Sequence, residues 1–526
     1  MKYKPFFLTM LAMVFLSSVT ALVAPFLLQA WSRDTQRAPL TFQRILLLVS
    51  VIFASKVLSV GLTVYRERFA KEFNKKNFLS MLNDAFYMSY DEILKEGPTH
   101  LLERIALAVE SIYSHMTGGF LEIWSGIGVA LICLLLIAGV QTWLAALLFV
   151  ALPLNYFGFR ALNRQLAQRC QTMQEQTSKG FQQVLSRIQN VDAFKQLPEY
   201  SPLLKGLTPA AQRIYGSMAR VNEYAQSMSI GLEGLTQIIQ NIAMLALVHA
   251  FSNGLINAYS LLLGTLVVPV YFTSVKAIVN AHINKRDFDV AMDFQKELKE
   301  RRERDGKQPL QAVQDVSLHI ASLTLPGREL PFGAQAVLHK GDIAQICGAS
   351  GCGKSTLAKA MLNFRPSDGL AINGLKIDQY QNRDLRARVE YVPQSTPILC
   401  GTLRENLFLN GNPAHASDEW LLKHPLLQSI LESKTLDEEI LENGANLSGG
   451  EKQKIALVRA LLSRPDVLIL DEVCSHIDGD ARTQIYQFLN DSRHERVTLL
   501  IAHEALPDGL VNVWLNREEA PNACGA

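Results

Sequence analysis

Long apolar runs alternate with charged connections in the first 300 residues of the chain, whereas the remainder has the mixed pattern of a globular domain. Six runs are long enough to cross a bilayer, since a helix needs about 20 apolar residues to span the hydrocarbon core. They lie at about 6–28, 45–65, 120–140, 142–160, 228–250 and 256–280. The pattern predicts an α-helical six-span membrane domain over 1–305, a second domain over 313–515 and a short tail, 516–526.

The charges between the runs indicate the orientation of these helices. Lysine and arginine residues lie before the first run and after the second, fourth and sixth, whereas the turn after the third run and the loop after the fifth have none. Positively charged connections stay in the cytoplasm, so both ends of the chain are expected there. A cleavable signal peptide is the alternative interpretation of the first run, but a full span fits its length better.

Two cytoplasmic connections, 66–119 and 160–227, are much longer than the others and rich in helix-forming residues. Gly97-Pro98 interrupts the first near its middle, and Pro198 and Pro202 interrupt the second. We interpret them as helical hairpins that continue the membrane helices inward, and we expect their tips to contact another part of the protein. The alternative is a pair of separate cytoplasmic domains, for which each connection is short.

Composition narrows the class of protein further. The chain has 526 residues, which is long for one domain, and a formal net charge of only +2, which does not favour a nucleic acid partner. Its seven cysteines are odd in number and show no paired CxxC spacing. Neither a disulfide framework nor a cysteine metal site is therefore expected.

A glycine-rich loop lies between a predicted strand, Ile343–Cys347, and a predicted helix, Leu357–Leu362. In this context backbone N–H groups, the helix N-terminus and a lysine surround a phosphate, while a hydroxyl ligates Mg²⁺. Lys354 and Ser355 are the lysine and the hydroxyl. The candidate nucleotide-binding residues of the loop are Gly348, Ala349, Ser350, Gly351, Cys352, Gly353, Lys354, Ser355 and Thr356.

A second helix N-terminus follows farther along the chain. Gln394 comes after a short β-type run, and Leu447–Gln453 then opens a predicted helix, Lys452–Leu462, with a serine and two glycines. Such a helix start binds anions. One nucleotide does not need two of these sites, so the second becomes useful if it caps the phosphate bound to another copy.

Two later strands end in residues suited to phosphate chemistry. The apolar run Val467–Leu470 is followed by Asp471, which can hold Mg²⁺ through water, and Glu472, which can polarise an attacking water. Ser475–Asp478 comes next, and a further apolar strand ends at His503, which can donate to the γ-phosphate.

This order of motifs resembles the ATP-binding cassette (ABC) transporter family, and the resemblance covers essentially the whole chain. The six spans, two hairpins and carboxy-terminal ATPase are similar to an exporter-type half-transporter, which implies an α/β P-loop domain of ABC type. The matching motifs are the Walker A loop at Gly348–Thr356, the Q-loop at Gln394, the signature at Leu447–Gln453, Walker B at Val467–Glu472, the D-loop at Ser475–Asp478 and the switch histidine at His503.

The resemblance implies ATP and Mg²⁺ as cofactors and a second half-transporter as partner. It implies catalytic roles for Glu472, His503 and Gln394, and metal ligation by Ser355, Gln394 and Asp471. Further nucleotide contacts are implied for Ser448, Gly449, Gly450 and Asp478, acting on the ATP of the opposite subunit. His476 departs from the usual D-loop. Between Val313 and Gly341 the only aromatic residue other than histidine is Phe332, so the residue that stacks on adenine is not identified.

The expected function is ATP-driven export of an amphipathic peptide, lipid or drug-like solute from the cytoplasm, by a homodimer in a bacterial inner membrane and in contact with its lipid. A heterodimer, an importer of siderophore-like cargo and a membrane ATPase that regulates a partner are the alternatives. Polar residues inside the spans are the only indication of cargo, because such residues pair or face a cavity. They are Lys56, Glu122, Glu233, Gln237, Gln240, Asn241, His249 and Lys276. The alternative for Glu122, Glu233 and Lys276 is that they lie near span ends and snorkel or belong to the cytoplasmic extension.

Overall fold

The computed structural model describes residues 8, 42–188, 195–325, 328–349, 351–409, 418–474, 477, 479–502 and 506–515. Contacts divide the chain into two compact units. The first contains the described residues up to 300 except Tyr87–Lys95, which belong to the second unit together with everything from Arg301 onwards. The predicted boundaries at 305 and 313 therefore lie slightly beyond the start of the second unit. The predicted first span and the tail lie outside the described residues.

Long helices form the first unit because its sequence consists of uninterrupted apolar and helix-forming stretches. A single π-helical turn, His115–Gly119, joins two of them. In chain order, the described helices up to Glu300 are α1 (Phe42–Phe86), α2 (Tyr90–Glu96), α3 (Pro98–Ser114), α4 (Phe120–Val140), α5 (Thr142–Ile188), α6 (Ser201–Ser252) and α7 (Ala258–Glu300).

Within the described residues, three helical segments are long and apolar enough to cross a membrane: Val49–Phe86, Ser201–Ser252 and Ser260–Ile278. Ile123–Gly139 is a shorter apolar helix. The unit has a core of buried side chains from α4, α5, α6 and α7, in which the Tyr271 hydroxyl donates to the Leu148 carbonyl at 2.8 Å. The number of spans stays a prediction.

Helices also fill most of the two long connections, which confirms that both are helical. Helices α5 and α6 run without interruption from the apolar segments into the second connection. In the first connection Gly97 adopts φ +83° and ends α2, and Pro98 is the first residue of α3. A proline is well suited to that position because the first amide of a helix has no intrahelical partner.

The second unit is an α/β domain with an antiparallel sheet in the order β2-β1-β4-β5 and a parallel sheet in the order β11-β3-β10-β9-β6. Its strands are β1 (Asp315–Leu325), β2 (Arg328–His339), β3 (Ile343–Ile346), β4 (Leu370–Ile372), β5 (Leu375–Lys376), β6 (Val389–Val392), β7 (Gly401–Thr402), β8 (Glu439–Ile440), β9 (Val467–Asp471), β10 (Val497–Ile501) and β11 (Val513–Leu515). Its helices after Arg301 are α8 (Lys354–Met361), α9 (Asn382–Arg388), α10 (Leu403–Leu407), α11 (Asp418–Lys423), α12 (Pro425–Leu431), α13 (Gly449–Leu462) and α14 (Gly479–Asp491).

The parallel sheet brings the predicted motifs to one edge. Strands β3, β9 and β10 are buried along their whole length, as expected for a parallel sheet covered on both faces. Ile501 at the end of β10 pairs with Ile346 of β3 and with Asp471 of β9. The loop after β3 and the carboxylates at the end of β9 therefore lie at the same carboxyl edge, where ligands bind in open α/β sheets.

Candidate nucleotide-binding site

The loop between β3 and α8 has the backbone of a phosphate cradle. Gly348, Gly351 and Gly353 adopt φ values of +151°, +81° and +108°, which side chains rarely allow. A Cβ on Gly348 would lie 2.8 Å from the Cys352 sulfur, so the loop also lacks room for one. The described residues up to Gly353 lie between β3 and α8, whereas Lys354, Ser355 and Thr356 form the first turn of α8, which begins three residues before the predicted start. Ser350 lies outside the described residues.

Lys354 is buried at the start of α8, and its ammonium group is held inside the loop. Its Nζ donates to the Gly348 carbonyl at 2.7 Å and to the Ala349 carbonyl at 3.2 Å. Burial of a lysine is costly unless its charge is hydrogen-bonded. The loop carbonyls thus hold a full positive charge beside the helix N-terminus, where an anion binds.

The three residues predicted to ligate Mg²⁺ line one cavity of about 680 Å³ in the second unit: Ser355, Gln394 and Asp471. They offer a hydroxyl, an amide oxygen and a carboxylate, which is the oxygen donor set that Mg²⁺ prefers alongside phosphate and water. No cluster of three or more histidine, cysteine or acidic residues suited to a metal occurs in the described part of the chain. The donor set of this cavity fits Mg²⁺ that arrives with phosphate oxygens.

Asp471 and Glu472 have different partners at the end of β9. Asp471 is buried and its Oδ2 accepts a hydrogen bond from the Tyr391 hydroxyl at 2.9 Å. Burial and the neighbouring Asp471 carboxylate both raise the pKa of Tyr391, so its hydroxyl stays a donor. Glu472 adopts φ +52°, and its Oε2 accepts a hydrogen bond from Gln394 Nε2 at 2.5 Å. A positive φ in a residue other than glycine is a strained turn of the kind found at active sites.

The second predicted anion site is a capped helix start. Ser448 caps α13, because its Oγ accepts from the Glu451 amide at 3.2 Å while the Glu451 carboxylate accepts from the Ser448 amide at 2.7 Å. Ser448 and Gly449 are exposed and Gly450 is half-buried. None of the three lines the cavity that contains Ser355, Gln394 and Asp471. Helix α13 begins at Gly449, three residues before the predicted start.

Glu390 was not foreseen from the sequence, although it lines the same cavity. Burial raises its pKa to about 7, while a hydrogen bond from Ser463 and the charge of Arg459 act in the opposite direction. Arg459 is itself fixed on α13, where its Nε donates to the Asn406 carbonyl at 2.7 Å. Sequence reasoning missed Glu390 and Tyr391 because only the fold buries them.

Helix α2, which belongs to the second unit except for Glu96, packs against the rest of that unit through an aromatic and an ionic contact. The rings of Tyr90 and Phe364 stack with centroids 5.3 Å apart and planes inclined by 5°. Arg365 donates to Asp91 Oδ1 through Nε at 3.1 Å and Nη2 at 2.9 Å. Tyr90 also lines the cavity that holds Gln394. Tyr90 and Asp91, a few residues before Gly97, therefore pack within the second unit. The contact of the hairpin tip near Gly97-Pro98 stays a prediction.

The structure shows the position of Phe332 but does not describe four other residues that the sequence analysis singled out. Phe332 is buried and its ring edge lies 3.4 Å from the Cβ position of Gly353, so it packs beneath the phosphate loop instead of offering an exposed face to adenine. Asp478 and His503, predicted to contact nucleotide, lie outside the described residues. So do His476 of the D-loop and Ala193 at the second hairpin tip.

Comparisons with known proteins agree with this geometry. A family model described as ABC transporter matches residues 333–475. The sublancin-168-processing and transport ATP-binding protein of Bacillus subtilis is 33% identical over 202 residues, which cover 37% of this chain and 28% of that protein. The chain thus matches less than a third of that relative's length.

Longer matches extend the similarity beyond this domain. The transport/processing ATP-binding protein ComA of Streptococcus pneumoniae is 25% identical over 76% of this chain and 57% of its own length. The ATP-dependent lipid A-core flippase of Photobacterium profundum is 26% identical over 78% of this chain and 72% of its own.

A solved structure shows the fold of the whole chain. The structure of a bacterial Atm1-family ABC exporter with ATP bound covers 95% of this chain and 91% of its own, with a TM-score of 0.84 and 18% identity. Together with the phosphate loop and the paired carboxylates at the end of β9, the family match identifies an ABC transporter ATP-binding domain over residues 333–475, and nearly the whole chain has the fold of an ABC exporter.

Proposed function

We propose that this protein is one half of a dimeric, ATP-driven exporter that moves amphipathic solutes out of the cytoplasm. The observation that carries the ATPase part is the cavity lined by Ser355, Gln394 and Asp471, with Glu472 in contact with Gln394. Bound Mg²⁺ would neutralise phosphate charge during hydrolysis, and these three residues would hold it. Lys354 and the loop amides bind the β- and γ-phosphates.

Glu472 acts on water in this proposal. Its carboxylate lies beside the metal-binding residues and accepts the Gln394 amide hydrogen, so it is oriented towards the site of attack. A carboxylate in that position accepts a proton from, or orients, the attacking water, which is worth about 10²–10⁴-fold in rate.

The proposed dimer rests on the exposed N-terminus of α13. Ser448 and Gly449 are exposed at the start of α13 and lie outside the cavity of their own chain. Amides at a helix start stabilise an anion by about 0.3–1 kcal/mol at exposed sites and more when covered. In a dimer, the ATP bound to the second copy would place its phosphate at this helix start. Each site then contains residues of both subunits.

Coupling to transport is assigned to the docked helix α2. Tyr90 lines the same cavity as Gln394, so closure of the ATPase around nucleotide moves residues that contact this helix. The names of the relatives mention processing and transport of sublancin-168 and a lipid A-core flippase. The lipid in the second name supports an amphipathic cargo, and a bacterial inner membrane is the location in the same proposal.

Uptake of labelled amphiphiles into membrane vesicles tests the proposal. Inside-out vesicles expose the ATPase domain to the medium and should accumulate cargo when ATP and Mg²⁺ are added, whereas the Glu472→Gln variant should not. ATP-dependent accumulation in right-side-out vesicles loaded with ATP indicates an importer instead. ATP hydrolysis without movement in either orientation indicates a regulatory ATPase.

A further inference from the structure

An ion pair joins two apolar helices of the first unit. Lys276 of α7 donates from Nζ to Glu233 Oε1 of α6 over 2.5 Å, and the two side chains are 52% and 46% exposed. Glu233 lies 19 residues before the end of α6 at Ser252, and Lys276 lies 18 residues after the start of α7 at Ala258. At a rise of about 1.5 Å per residue, both lie about 28 Å from the connection between the helices.

That distance places the pair at the far edge of the hydrocarbon core, which is about 30 Å thick. By the charge distribution of the sequence, this edge faces the cytoplasm. The pair therefore lies where a solute from the cytoplasm or the inner leaflet would enter the membrane domain.

A polar stripe continues from the pair towards the middle of the membrane. Gln237 and Gln240 follow Glu233 at spacings of four and three residues, so the three side chains share one face of α6. Gln237 is exposed and Gln240 half-buried. No described helix of the same chain covers this face completely.

The opposite side of α6 has a different character. Ile238, Ile242 and Leu245 are 57%, 52% and 68% exposed. At about 100° of rotation per residue they lie on the side of the helix away from Glu233. Lipid requires apolar side chains, and polar side chains within a span face water or protein. Helix α6 thus has an apolar side for lipid and a polar side for a water-filled path.

The charges of this polar side select a class of head group. Glu233 and Lys276 together carry no net charge, but they present opposite charges on neighbouring helices. A purely anionic head group gains from Lys276 and is repelled by Glu233, and a cationic one meets the reverse. A zwitterionic head group satisfies both charges, and the two glutamine amides hydrogen-bond to its polar atoms.

We propose that Glu233, Lys276, Gln237 and Gln240 form the entry site for the zwitterionic head group of an amphipathic cargo. The proposal rests on the export function proposed above. Binding is measured without ATP, so that failure of this site is distinguishable from failure of export itself.

The full-length protein in nanodiscs is titrated with three probes that share one alkyl chain: dodecylphosphocholine, dodecyl phosphate and dodecyltrimethylammonium. The wild-type protein should bind the zwitterionic probe about tenfold more tightly than either charged probe, because each charged probe leaves one of the two charges without a partner. Glu233→Gln should shift the preference to dodecyl phosphate, and Lys276→Gln should shift it to dodecyltrimethylammonium.

The charge-reversed double variant Glu233→Lys with Lys276→Glu separates recognition from folding. It retains an ion pair without net charge, so both its thermal stability and its preference for the zwitterionic probe should remain near wild type. If the single variants lower the melting temperature but leave the relative affinities for the three probes unchanged, the pair only joins two helices and the proposal is wrong.

Cysteine labelling tests whether water reaches the polar stripe. It compares two adjacent residues of α6 that lie at nearly the same depth in the membrane but on different sides of the helix. Gln237→Cys should react with a membrane-impermeant thiol reagent added on the cytoplasmic side, whereas Ile238→Cys should not, with the parent protein as the background for native cysteines. Protection of both positions would place the stripe in contact with the second subunit and would overturn the entry site.

Discussion

Gln394 and Glu472 are joined by a hydrogen bond in which Nε2 donates to Oε2 at 2.5 Å. Gln394 lies in the loop after β6 and Glu472 directly after β9, and these strands are neighbours in the parallel sheet. A residue that is proposed to ligate Mg²⁺ thus directly contacts the residue that is proposed to orient water. If the Gln394 amide oxygen binds the metal, the amide nitrogen of the same side chain holds Glu472 in place at the same time.

Replacing Glu472 by glutamine should abolish most ATP turnover while nucleotide binding persists. The amide keeps the shape of the side chain but does not accept a proton, so the rate should fall about 10²–10⁴-fold. Lys354→Ala should instead weaken ATP binding, because the buried ammonium beside the Gly348 carbonyl is lost. Steady-state hydrolysis and equilibrium binding of labelled ATP distinguish the two. Near-normal turnover of Glu472→Gln contradicts its assigned role.

Mixing two inactive chains tests the composite site. Ser448→Arg disables the exposed start of α13, and Lys354→Ala disables the phosphate loop. If Ser448 acts across the dimer, the mixed dimer has both lesions in one site and an intact second site. The purified mixed dimer should hydrolyse ATP at roughly half of the wild-type rate if one site turns over alone. A single-chain monomer that hydrolyses ATP at the full rate would refute the shared site.

Tyr90→Ala should reduce transport and leave basal ATP hydrolysis largely intact. The stacked ring on Phe364 is the aromatic part of the contact between α2 and the rest of the second unit, and such pairs contribute about 0.5–1.5 kcal/mol beyond their buried area. Tyr215→Ala, at a residue 68% exposed, is the matched control. Vesicle uptake and hydrolysis are measured on one preparation of each variant, and unchanged uptake by Tyr90→Ala would argue against coupling through this helix.

Tyr391→Phe should raise the Mg²⁺ concentration needed for half-maximal hydrolysis. The Tyr391 hydroxyl orients the Asp471 carboxylate at 2.9 Å, and loss of a partner that orients a metal ligand typically costs about 10–100-fold in metal affinity. Hydrolysis at saturating Mg²⁺ should remain close to wild type, which distinguishes a positioning role from a general loss of folding. An unchanged Mg²⁺ dependence would exclude that role.

Glu390 should make the folded protein less stable as pH rises. Its pKa is raised to about 7 in the folded state, above that of an unfolded glutamate, so the folded state keeps a proton that the unfolded state has lost. Its unfavourable contribution is therefore absent at low pH, grows between about pH 4.5 and 7, and is constant above. The melting temperature of Glu390→Gln minus that of wild type should increase from pH 5 to pH 8. A difference independent of pH would show that Glu390 titrates normally.

The sequence was sufficient for features whose residues are neighbours along the chain. The phosphate loop, the carboxylates at the end of β9 and the serine that starts α13 follow from local patterns. The structure has the loop between β3 and α8, Asp471 and Glu472 at the end of β9, and Ser448 at the start of α13. Contacts between distant segments were not predictable. Asp91 and Arg365 are 274 residues apart, and nothing near either indicates the other. The pKa of Glu390 depends on burial that arises only once β6 and α13 pack together.

The polar residues of the spans also show that local patterns were predictable and contacts between helices were not. The sequence placed Glu233, Gln237 and Gln240 on one face of a helix, but the partner of Glu233 is Lys276 on the following helix. Pairing between helices depends on their packing and not on spacing within either of them.

The second unit consists of Tyr87–Lys95 and of the residues from Arg301 onwards. Two separate parts of the gene therefore encode this one unit. A recombination event that exchanges only the carboxy-terminal part between two transporters leaves Tyr90 opposite a foreign residue in place of Phe364. Hybrids of this kind keep a complete ATP site yet lose a matched contact surface. Related chains should consequently vary at Asp91 and Arg365 in concert, with a change of charge at one accompanied by a compensating change at the other.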